Sequence, residues 1–119
     1  MSGFAPEILR QRLVVEGYYT RDDVDELAVE EFLHGVAAHL DLRSYGRPAI
    51  FAPSGLGREE NQGFDAFLPL IDSGISVYVW TGPRFVSAVL FTCKVFDDDR
   101  AVAYVKDFFG LADFDHHAF

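Results

Sequence analysis

The segment Phe85 to Val95, FVSAVLFTCKV, is apolar at almost every position, and so on both faces of an extended chain. A strand of that kind cannot lie at a solvated edge, which predicts a sheet with this segment at its centre or at an interface. Upstream, beyond the turn signal Gly82-Pro83, Ile75 to Trp80 (ISVYVW) alternates, placing Ile75, Val77 and Val79 on one face and Ser76, Tyr78 and Trp80 on the other. Phe64 to Ile71 and the short stretch Pro48 to Pro53 read as further strands. Pro69 removes one ladder donor and marks an edge or a bulge. Arg12 to Tyr19 (RLVVEGYY), rich in β-branched and aromatic residues, is the first strand.

Two segments have helical period instead. Val24, Ala28, Phe32, Val36 and Leu40 recur every fourth residue, flanked by Leu27, Leu33 and Ala37, with Asp25, Glu26, Glu30, Glu31 and His34 on the polar side. Thr20 and Asp23 approximate a capping box, which predicts a helix over 22–40, weakened by Gly35. Asp97, Asp98 and Asp99 supply cap and dipole-compatible acids to a second helix through Phe109, ended by Gly110. Between them, Ser54 to Gly63 (SGLGREENQG) is a polar, glycine-rich loop, long for so small a domain. The order β-α-β-β-β-β-α predicts an α+β, two-layer α/β sandwich: a mostly antiparallel sheet with two helices on one face. The sheet's second face is then left to be covered, which predicts a homodimer.

The chain has 119 residues, half of them hydrophobic, enough for one core and a single domain over 1–119. Ten basic against 19 acidic residues give a net charge of −9 with no basic cluster, which argues against nucleic acid. No apolar run is long enough to span a bilayer, and the first residues lack a signal-peptide pattern, so a cytoplasmic protein is expected. Cys93 is the one cysteine, excluding an internal disulfide or a thiolate zinc cluster. Nucleotide-loop, zinc-protease and EF-hand patterns are absent. The adjacent His116 and His117 read as part of a solvated tail, and no metal site is expected.

The chemistry-bearing residues concentrate between Asp72 and Cys93, in DSGISVYVWTGPRFVSAVLFTC. Composition alone makes Ser73-Gly74 a turn, Trp80 a core aromatic and Cys93 a small buried hydrophobe. This stretch resembles the processing segment of the small prokaryotic S-adenosylmethionine decarboxylases: Glu-Ser-His, a strand ending His-Thr-Trp-Pro-Glu, and a strand ending Phe-Thr-Cys. Asp72-Ser73 stands at the Glu-Ser, Trp80 at the Trp, and Phe91-Thr92-Cys93 matches outright. Leu13 to Tyr18 (LVVEGY) is similar to the family's opening strand, and Phe51-Ala52-Pro53 to its Phe-x-Pro.

The resemblance implies the family's two-layer fold, a dimer, and self-cleavage before Ser73 that converts this serine into a pyruvoyl group. That ketone is the electron sink for decarboxylating an amino acid. Cys93 matches the cysteine that protonates the product carbanion. Glu16, Asp65, Phe51 and Trp80 are expected to bind the substrate: S-adenosylmethionine or a small cationic amino acid such as ornithine or arginine. Tyr78 stands where the family has a processing histidine, and phenols hold their proton at neutral pH. Gly74 replaces a histidine, and Thr81-Gly82 replaces Pro-Glu, whose glutamate holds ribose hydroxyls. Asp65 or Gln62 falls near the family's second processing serine. The alternative is an unprocessed homologue that binds a metabolite, serves as a partner subunit, or uses Tyr78 or Cys93 for other chemistry.

Overall fold

The computed structural model describes residues 7–52 and 62–119. Six strands and two helices follow one another as β1 (Gln11–Tyr19), α1 (Glu26–His39), β2 (Ala49–Phe51), β3 (Gly63–Leu70), β4 (Ser73–Trp80), β5 (Phe85–Thr92), α2 (Asp98–Phe109) and β6 (Leu111–Ala118). They form one sheet in the order β2-β3-β4-β5-β1-β6, with every hydrogen-bonded neighbour antiparallel. The two-sided apolar segment is indeed internal, since β5 lies between β4 and β1. Antiparallel pairing throughout makes β1 parallel to β2 and β5 parallel to β6, so each helix is a crossover between parallel strands. Both cross on the same face and touch each other.

That face holds the core. Leu13 and Val15 of β1, Ile75 and Val77 of β4, and Ala88 and Leu90 of β5 are buried against Phe32, Leu33 and Val36 of α1 and Val105 and Phe109 of α2. Each of these valine, leucine, isoleucine and phenylalanine side chains removed from water contributes about 1.5–3 kcal/mol. Leu27, included in the predicted apolar flank of the first helix, is 61% exposed.

Three expectations change. The first helix starts at Glu26, four residues late, because Asp25 is its cap and accepts the Ala28 N–H at 2.8 Å. Thr20 is instead drawn to the end of α2, where its hydroxyl and its N–H both donate to the Gly110 carbonyl. The strand predicted to reach Val95 stops at Thr92, whose hydroxyl closes on the Lys94 carbonyl at 2.6 Å and turns the chain. The expected C-terminal tail is strand β6, paired along β1. The glycine-rich loop lies outside the described residues except for Gln62 and Gly63, as does Pro53. Pro69 sits where β3 has already outrun β2, so its missing N–H breaks no ladder there. No helix among the described residues is long and apolar enough to cross a membrane.

Candidate functional site

The β3–β4 hairpin turns through Ile71 and Asp72, with Leu70 and Ser73 paired across it. Asp72 takes a left-handed φ of 54°, a conformation few residues other than glycine, asparagine and aspartate accept. Ser73, the first residue of β4, shares the parity of the buried Ile75 and Val77 and so faces the helix layer. Its Oγ accepts the Cys93 N–H at 2.9 Å, tying the start of β4 to the chain just beyond β5.

A cavity of about 500 Å³ opens at this point, lined by Asp41, Leu42, Arg43, Leu70, Ile71, Asp72, Ser73, Cys93 and Lys94. Its three walls are stitched together. The Ile71 N–H donates to the Arg43 carbonyl at 3.3 Å, and the Lys94 ammonium donates to the Asp41 carbonyl at 2.7 Å. A second, shallower hollow of about 340 Å³ lies on the opposite sheet face, where Phe67, Gly74, Ser76, Val89 and Phe91 meet Asp72 and Ser73. The Phe67 ring covers Gly74 so closely that a Cβ at residue 74 would come within 2.5 Å of it.

The remaining predicted site residues gather elsewhere. Register places Phe51, Asp65, Tyr78, Ser87 and Glu16 in a single row across β2, β3, β4, β5 and β1 on the helix-free face. Ser87 donates to Glu16 Oε2 at 3.0 Å. The adjacent row is aromatic, with the Trp80 and Tyr18 rings 5.7 and 5.1 Å from Phe85. Tyr78 is five residues along β4 from Ser73, roughly 16 Å at the rise of an extended strand, and on the opposite face.

The structure therefore brings Asp72, Ser73 and Cys93 together and keeps them apart from Tyr78, Trp80, Glu16, Asp65 and Phe51. Asp41, Arg43 and Lys94, which the sequence reading did not single out, join the first group. Lys94 is adjacent to Cys93 in sequence, but nothing local signals that the α1–β2 connection folds over the hairpin. His116 and His117 point to opposite faces of β6, so they cannot converge on one ion. Among the described residues no group of three or more His, Cys, Asp or Glu could hold a metal.

Layering, topology and crossovers together define an adenosylmethionine decarboxylase-like fold. The chain is similar to the crystal structure of the adenosylmethionine decarboxylase from Aquifex aeolicus VF5, with a TM-score of 0.72 and 17% identity over 94% of this chain and 89% of that one. At this identity the likeness is one of fold, and it agrees with the architecture expected from sequence. No family model and no curated protein matches the sequence.

Proposed function

We propose that this protein is a cytoplasmic pyruvoyl-type decarboxylase acting on S-adenosylmethionine or a small cationic amino acid such as ornithine or arginine. The observation that carries this reading is the bond from the Cys93 N–H to Ser73 Oγ, which joins precursor and proton donor at one cavity. A backbone donor on Oγ favours the negative charge that develops as the hydroxyl loses its proton and attacks the preceding carbonyl. The residue supplying that carbonyl, Asp72, holds the left-handed position of the turn, which puts the scissile bond at an exposed hairpin end. The break would fall at the end of a hairpin turn, where two new termini leave every strand pair in place.

These residues fit a pyruvoyl group at position 73, which supplies an electron sink once formed. Cys93 lines the same cavity, and a thiol there is a suitable general acid for proton delivery. Intact-mass spectrometry tests the proposal. Two fragments summing to a break before Ser73 are expected, and only a full-length species would reject it. Ser73→Ala should abolish turnover while leaving the fold intact.

A second reading is an unprocessed homologue that uses the cavity for binding. It is favoured by Tyr78 standing on the face opposite Ser73 and by the Phe67 ring filling the space over Gly74. An uncleaved chain whose melting temperature rises with one of these ligands would support it. In either reading we assign the helix-free face to a second copy of the chain, since Phe51, Phe67, Tyr78 and Phe91 are exposed on it.

A further inference from the structure

Among the described residues two polar residues are buried, Ser87 and Thr92, and of the two only Thr92 has no exposure at all. A hydroxyl so placed needs a partner inside the protein, and Thr92 finds it two residues along its own chain, donating to the Lys94 carbonyl at 2.6 Å. That bond reaches across Cys93. It closes a small ring containing the peptide link between Thr92 and Cys93, whose N–H is the donor to Ser73 Oγ at 2.9 Å. The ladder brings the same residues face to face. Gly74 pairs with Phe91, and one step further in that register Ser73 stands opposite Thr92, both on the helix side.

Beyond the ring the connection to α2 is fastened a second time. The Gln11 side chain accepts the Phe96 N–H at 3.0 Å and donates to the Phe96 carbonyl at 2.8 Å, and Phe96 itself is buried. The segment carrying Cys93 is thus held on both sides, by Thr92 before it and by Gln11 after it.

We propose that the Thr92 hydroxyl aims the Cys93 N–H at Ser73 Oγ, making Thr92 a positioning residue for self-cleavage. Its consequence rests on the pyruvoyl reading, whereas the alignment itself does not. The peptide plane that carries this N–H turns with the Thr92 backbone, and tying the Thr92 side chain to residue 94 removes that freedom. A donor fixed in advance stabilises developing charge without having to reorganise. A misplacement of about 1 Å in such a group costs roughly a hundredfold in rate.

The test compares Thr92→Val, which is isosteric and loses the hydroxyl, with Thr92→Ser, which keeps it. Each full chain is made by cell-free translation, and the appearance of the two fragments is followed by intact-mass spectrometry. Thr92→Val should cleave at least tenfold more slowly than wild type and Thr92→Ser at close to the wild-type rate, with circular dichroism showing that both fold. Thr92→Ala takes the place of the valine variant if that one does not fold. The proposal is overturned if a folded chain without the hydroxyl cleaves as fast as wild type, or if Thr92→Ser is as slow as Thr92→Val. A wild type that stays full-length rejects the pyruvoyl reading, and the alignment is then judged by amide hydrogen exchange at Cys93 in the uncleaved chains. Exchange at least tenfold faster in Thr92→Val than in wild type and Thr92→Ser supports it, and equal rates overturn it.

Discussion

At the scale of single residues, Gly35 and Tyr104 show how a local penalty becomes a tertiary contact. A Cβ on Gly35 would fall 1.9 Å from the Tyr104 hydroxyl, so the glycine is what lets α2 approach α1 there. Gly35→Ala is expected to destabilise the wild type even though alanine favours a helix by about 1 kcal/mol over glycine. In a Tyr104→Phe background the loss should shrink, with a coupling of at least ~0.5 kcal/mol in a double-mutant cycle read by urea denaturation. Burial, followed by the neighbouring Glu31 charge, raises the Tyr104 phenol above its usual value of 10.0. A raised phenol stabilises the fold fully below pH 10, where both states are protonated. That contribution declines above pH 10 because the unfolded chain ionises first. The urea midpoint should therefore fall more between pH 9 and pH 11 in the wild type than in Tyr104→Phe.

Among the elements, α2 and β6 were legible to very different degrees. Asp97 accepts the Asp99 and Arg100 N–H groups at 2.9 and 3.2 Å, and Gly110 closes the helix at φ 64°, so both ends of α2 follow from residue chemistry. Asp97→Ala should cost about 1 kcal/mol by chemical denaturation. The second half of β6, in LADFDHHA, has three acids or histidines and no large apolar residue, and isolated it reads as solvated. It is a strand because β1 offers it a free edge. Gly17 permits the close approach, since a Cβ there would come within 2.4 Å of the Asp113 carbonyl. The strand is anchored at one end, where Leu111 is 5% exposed. Leu111→Ala should cost roughly 2–5 kcal/mol. His116→Ala, on the exposed half, should change stability by less than ~0.5 kcal/mol.

For the whole molecule, the feature of greatest consequence is a sheet with helices on one face only. Phe67 and Phe91 remain 44% and 40% exposed beside Val89 and Val14 on the other. If a second copy covers this face, Phe91→Asp should shift the protein from dimer to monomer by light scattering without unfolding it. Two chains of net charge −9 repel each other, so association should strengthen as salt rises from about 0.01 M to 0.15 M, where the screening length contracts to roughly 8 Å. A wild type that is monomeric at high concentration and high salt would remove the dimer from the reading.

The sequence by itself determined the strands from β1 to β5, both helices and the internal place of β5, because alternation, helical period and caps act over a few residues. It also marked Ser73 and Cys93 by motif spacing. Only the tertiary structure decided that β6 is a strand, that α1 waits until Asp25 to begin, and that Asp41, Arg43 and Lys94 surround Ser73. Register further divided the predicted site, sending Tyr78, Trp80, Glu16, Asp65 and Phe51 to the helix-free face and Asp72, Ser73 and Cys93 to the end of the hairpin. Those outcomes depend on which segments meet across the chain, and a contact between residues 43 and 71 or 73 and 93 leaves no periodicity for a local reading to find.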